Sequence, residues 1–122
     1  MGFLGAMIYE QGDIVSINFD PSARHEPAGR HFGIVISPWD VNRMSSLTVL
    51  VPVTSVDNGY PLHTRIAEGN AIHGFAQCEA IRAVDLGARE REGSVELAGS
   101  LDDATLADIL ARVLVVLGVE PI

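Results

Sequence analysis

The sequence predicts a small, mainly β domain that ends in one amphipathic helix, and three observations carry that reading. Val15, Ile17 and Phe19 alternate with Ser16 and Asn18, the period-2 signature of a half-buried strand. Leu47 to Ser55 alternates again, with Leu47, Val49, Val51 and Val53 on one face and Thr48, Leu50, Pro52 and Thr54 on the other. Leu106, Ile109, Leu110, Val113, Leu114 and Leu117 recur instead at the spacing of a helical stripe. The 122 residues make one domain, 1–122, large enough to bury about two thirds of its unfolded surface without disulfides.

In chain order, Asp20-Pro21 ends the first strand, because proline fixes φ and has no N–H for a ladder. Ile34, Val35 and Ile36 form a continuous apolar run, as expected of a strand buried on both faces. Between them Arg24, His25, Glu26, Arg30 and His31 crowd a stretch loosened by Ala28-Gly29, and this reads as a functional loop displayed between two core strands. Pro38 to Arg43 reads as a turn with a short helical piece. Pro52 points to a sheet edge or a bulge, which leaves Thr54 and Ser55 at an open rim. Asp57-Asn58-Gly59 is a turn signal, and Leu62, Thr64 and Ile66 alternate with His63 and Arg65 in a short fourth strand.

Gly69-Asn70 then turns the chain into a last long strand, Ile72 to Ile81. Ile72, Gly74, Ala76, Cys78 and Ala80 share its small-residue face, and His73, Phe75, Gln77 and Glu79 share the other. That second face suits either an ordinary polar surface or the wall of a groove. Asp85 is placed to cap a helical turn before the polar segment 87–93. Ser100 offers an N-cap hydroxyl, Asp102 and Asp103 complement the dipole of a helix over 101–117, and Gly118 stops it. Val115 and Val116 widen its apolar face, which fits a dimer contact and full burial equally.

Charge and composition narrow the function. The chain carries a net charge of −8, and all eight basic residues are arginine. Overall acidity argues against long non-specific tracking of a nucleic-acid backbone. The charge is uneven: Pro21 to Arg43 holds three arginines and two acids, whereas Val84 onward holds eight acids and three arginines. A nuclease with a short site therefore remains open. One cysteine, Cys78, allows no internal disulfide and suits a reducing compartment. No apolar run approaches the roughly 18 residues of a membrane span, and MGFLGAM lacks a basic n-region, so a cytoplasmic protein is expected. Met7 offers a second start, which would make residues 1–6 an extension. The four histidines show no metal-ligand spacing, so no metal and no cofactor is expected.

Taken together, GDIVSINFDP, HEPAG, GIVIS, VPVTS, GYP and GFAQCEAIRAVD resemble, in that order, the MazF/PemK family of toxin endoribonucleases of type II toxin–antitoxin systems. The resemblance runs from Gly12 through Asp85, with a terminal helix where that family has one. It implies a small, partly open β-barrel of the MazF/PemK/CcdB kind, assembled as a homodimer. It further implies metal-independent cleavage of single-stranded RNA at short sequences, and a cognate antitoxin that fills the RNA groove.

Such cleavage sends the 2′-hydroxyl onto the adjacent phosphorus and leaves a 2′,3′-cyclic phosphate and a 5′-hydroxyl. It needs a base, an acid and donors for the phosphorane charge. On the family pattern Glu26 and Thr54 match its glutamate and threonine. The family's Arg-Pro before the second strand is replaced by His31-Phe32, with Arg30 one step earlier. Either His31 works as acid or base, or Arg30 reaches the phosphate from a shifted loop. The resemblance thus implies Glu26, Arg30, His31 and Thr54 as catalytic, and Arg24, His25, Asn42, Ser55, Phe75, Gln77 and Glu79 as substrate contacts. Two other readings of the same resemblance stay open: a non-catalytic inhibitor that binds a protein such as DNA gyrase, as CcdB-type toxins do, and an inactivated member that only binds antitoxin.

Overall fold

In the computed structural model, residues 7–19 and 30–119 are described. The elements run β1 Asp13–Asn18, β2 Arg30–Val35, α1 Trp39–Met44, β3 Thr48–Thr54, β4 His63–Arg65, β5 Phe75–Gln77, β6 Arg82–Val84, α2 Leu86–Arg91, β7 Val95–Ser100 and α3 Asp103–Val116. The strands pair antiparallel in the order β4-β5-β3-β2-β1-β7, with β6 added to the flank of β3. The two ends of that order do not pair with each other, so the curled sheet stays open, mainly β with helices, as expected. None of the described helices is long and apolar enough to cross a membrane.

Two apolar cores lie on the two faces of the sheet, and this explains the continuous apolar run of β2. Ile34 and Ile36 pack with Ile14, Val51, Val53, Ile72 and Cys78 under Ile109 and Val113 of α3. Val35 turns the other way, to Val15, Ile17, Phe19, Leu50, Val84 and Val95, with Leu86 of α2 closing that side. Where β2 has a core on each face, over Ile34 and Val35, no position is left for a polar residue.

Pro52 is buried inside a central strand rather than at an edge. It stands opposite Gly33 of β2. On its other side the partner changes, because β6 pairs Thr48, Val49 and Leu50 while β5 pairs Val53 and Thr54. A residue without an N–H costs no ladder bond at that handover.

The expected long strand over 72–81 is a second correction. β5 stops at Gln77, a turn closed by Ala80 N–H to Gln77 O at 3.0 Å follows, and the chain resumes as β6. The break lets one stretch flank both ends of β3. β7 was not foreseen: only its Val95 is buried, and Leu97 lies exposed on the outer edge, so no alternation marks it. The cap of α3 also moves by two residues, from Ser100 to Asp102, whose carboxylate accepts from Thr105 N–H at 3.1 Å. At the far end Gly118 (φ +77°) completes a Schellman stop, with Val119 N–H on Leu114 O and Gly118 N–H on Val115 O.

Candidate active site

The candidate site lies where β2 and β3 reach the rim of the sheet and the loop before β5 crosses them. Arg30 is a strand residue, not a loop residue: it stands opposite Asn18 of β1. Its guanidinium donates from Nη1 to Ser16 Oγ at 2.8 Å and from Nη2 to Ser94 O at 3.2 Å. His31, one residue on and opposite Ile17, leaves β2 on the other face. Its ring lies 6.3 Å from that of Phe19, over which the Arg82 guanidinium sits at 5.1 Å. Arg82 also donates to Phe19 O at 3.4 Å, so Phe19 is held between strand and cation.

Continuing the β2–β3 register two residues past the Gly33–Pro52 pair brings Thr54 level with His31. Thr54 is fixed from the other side by Phe75, its partner in β5. Its Oγ1 accepts from Val56 N–H at 3.2 Å and shapes the exit of β3. Gly74 makes this join. It adopts φ +131°, and a Cβ there would stand 2.6 Å from Thr54 O. Only glycine lets the loop backbone come so close to the end of β3.

Around these residues opens a hollow of about 520 Å³, lined by Ser16, Arg30, His31, Phe32, Thr54, Ser55 and His73 among others. A second hollow of about 300 Å³ shares Ser55 and His73 with it and adds Arg65, Glu68 and Phe75. Among the described residues the first is lined by one arginine and two histidines and by no carboxylate, on a chain whose net charge is −8. Local placement, not net charge, sets the field that a ligand meets there. A guanidinium, imidazoles and hydroxyls at one rim can hold a phosphodiester and move protons about it.

The geometry sorts the residues singled out in the sequence. Arg30, His31, Thr54 and Ser55 line the first hollow and Phe75 the second. Gln77 and Glu79 lie further along the same face of 73–79 and line neither. Glu79 instead accepts from His63 Nε2 at 3.0 Å, with Tyr60 edge-on to that imidazole. Asn42 lines neither hollow. It is 8% exposed, and its amide donates to Tyr9 O at 2.8 Å and Ser37 O at 2.9 Å while its carbonyl accepts from Ser37 Oγ. Those bonds tie α1 to the segment before β1 and to the turn after β2, and both amide N–H groups are taken up by the protein. Arg24, His25 and Glu26 lie outside the described residues.

The comparisons with known proteins agree with this fold. Residues 10–117 match the model of the PemK-like, MazF-like toxins of type II toxin–antitoxin systems. The chain belongs to this family. It is 29% identical over 80 residues to the endoribonuclease toxin MazF of Escherichia coli K12, which spans 66% of this chain and 71% of that one. Among solved structures, MazF of Deinococcus radiodurans superposes with a TM-score of 0.81 at 28% identity, covering 92% of this chain and 98% of that one. A MazE–MazF complex from the same organism gives 0.78 at 25% identity, covering 93% and 100%.

Within this family member, several lining residues were not singled out in the sequence as site residues, His73 and Arg65 among them. His73 borders both hollows and Arg65 the second. The alternation of His73 with Phe75 was the available signal. That the two stand beside Thr54 depends on the Thr54–Phe75 pairing, which joins residues far apart in the chain.

Proposed function

We propose that this chain is the toxin of a toxin–antitoxin pair and a metal-independent endoribonuclease that cuts single-stranded RNA at short sequences. The observation that carries the reading is the hollow that brings Arg30, His31, Thr54 and Ser55 to one rim, with no carboxylate lining it among the described residues, on a chain of net charge −8. The family supports it, as does its similarity to the endoribonuclease toxin MazF of Escherichia coli.

In this reading the 2′-hydroxyl attacks phosphorus, and the products are a 2′,3′-cyclic phosphate and a 5′-hydroxyl. His31, at the place of the family's arginine, exchanges a proton with the reacting oxygens, and Glu26, which matches the family's glutamate, is assigned the same acid–base work. The Thr54 hydroxyl and the Arg30 guanidinium donate to the non-bridging oxygens. Removal of one such donor costs about 10²–10³ in rate. Ser55 and Phe75 hold flanking nucleotides, the aromatic face by stacking. The exposed apolar end of α3, Leu114, Val115 and Leu117, supports the homodimer. The MazE-bound relative supports an antitoxin as partner.

The test is incubation with mixed-sequence single-stranded RNA in EDTA, with product 5′ ends mapped. Cuts at one short motif, bearing 5′-hydroxyls, are expected, and a variant carrying His31→Ala and Arg30→Ala together is expected to lose them. Intact RNA with the folded parent protein would turn the reading toward a protein-binding inhibitor. Parent-rate cleavage by the double variant would remove the residue assignment.

A further inference from the structure

His73 is exposed, yet its backbone is clamped on both sides. Ile72 before it is buried in the α3-side core, and Gly74 after it is pressed against Thr54 O in a conformation reserved for glycine. Among the described residues nothing bonds or ion-pairs with the His73 side chain. The groups near it are Arg30 and His31 across the first hollow and Arg65 and Glu68 across the second. A side chain whose root is fixed and whose polar atoms are unused by the protein is available to a ligand.

Its place on the ridge between the two hollows decides which part of a ligand it meets. An RNA strand that crosses from one hollow to the other must pass its backbone over Ser55 and His73, the two residues that both hollows share. A phosphate held by Arg30 and Thr54 in the first hollow borders the ridge, and beyond it the second hollow offers the Phe75 ring to the next nucleoside.

We propose that His73 is the general acid of the cleavage, protonating the leaving 5′-oxygen. The assignment rests on the nuclease reading above and adds a residue to it. As the 2′-oxygen bonds to phosphorus, its proton passes to the base on the His31 side. The phosphorus–O5′ bond breaks as O5′ takes a proton from the His73 imidazolium. One proton is accepted and one donated, solvent restores both groups, and no other reactant is consumed.

The test compares two oligonucleotides carrying the cut site mapped for the parent protein, one with the natural 5′-oxygen and one with a bridging 5′-sulfur. The sulfur leaves as a thiolate and needs no acid. His73→Ala is expected to slow the natural oligonucleotide by about 10²-fold or more, as loss of a general acid does, and to cut the sulfur one at the parent rate. His73→Gln, which keeps a hydrogen-bond donor but cannot deliver a proton, is expected to behave the same way. Equal slowing on both substrates would make His73 a positioning residue, and an unchanged rate on the natural substrate would remove it from the site; either result overturns the assignment. A parent protein that cuts neither substrate would overturn the nuclease reading itself.

Discussion

Two polar clusters at opposite ends of the sheet look alike in sequence and differ in what their polar atoms do. Around Asn42, one amide meets Tyr9 O, Ser37 O and Ser37 Oγ, and that same hydroxyl also accepts from Val49 N–H. Both amide N–H groups and the hydroxyl are spent inside the protein, and the cluster is scaffold. At the rim, Thr54 and Arg30 are partly engaged, and His73 lies open with nothing bonded to it among the described residues. Polar residues saturated by their neighbours build a fold, whereas positioned but unsaturated ones build a site.

Gly74→Ala would break the comparison from the site side, and the largest effect is expected there. A Cβ meets Thr54 O at 2.6 Å on a backbone at φ +131°, so the loop must withdraw from β3. We expect a loss of about 3 kcal/mol from strain and displaced packing, and RNA cleavage reduced by more than about 10³-fold as Thr54 and His73 separate. Thermal melts and cleavage rates on the same preparation check both halves, and a variant that melts and cuts like the parent would show that the close approach is not needed.

Asn42→Ala probes the scaffold side. It removes the donors to the Tyr9 and Ser37 carbonyls and the acceptor of the Ser37 hydroxyl in a buried place, at a cost of about 2–3 kcal/mol. The rate per folded molecule is expected to stay at the parent value, measured by denaturant unfolding beside single-turnover cleavage. A normal stability with slowed cleavage would return Asn42 to the substrate-contact role first read from the sequence.

The smallest effect sharpens the criterion, because it concerns a saturated cluster that is exposed. The Asp102 carboxylate accepts from the Thr105 side chain, from Asn70 Nδ2 and from Thr105 N–H, and these bonds hold its pKa down to about 2. A pKa depressed below the ordinary 3.8 means that the stabilisation is fully present above about pH 4 and is lost as pH falls through about 2. Parent and Asp102→Asn proteins should therefore show different slopes of melting temperature against pH in that window. Superimposable slopes would mean that the cap bonds contribute nothing.

Much of the fold was legible because one-dimensional periodicity reports burial. β1, the doubly buried β2, β4, the Asp85 cap of α2 and the stripe of α3 all follow from it. β7 escaped because an edge strand with one buried residue has no pattern to show. The break between β5 and β6 escaped because their shared dependence on β3 cannot be seen along the chain.

The site divides along the same line. Local sequence by itself determined which residue types were on offer: the family frame from Gly12 to Asp85, the His31-Phe32 pair where that frame has Arg-Pro, and Thr54 at the end of β3. Tertiary structure alone decided which of them meet. It sends Arg30 and His31 to opposite faces, ties Asn42 into the scaffold, and delivers His73 to the ridge between two hollows. The physical reason is that strand pairing joins residues far apart in the chain, and a side chain's free valences are known only when all its neighbours are.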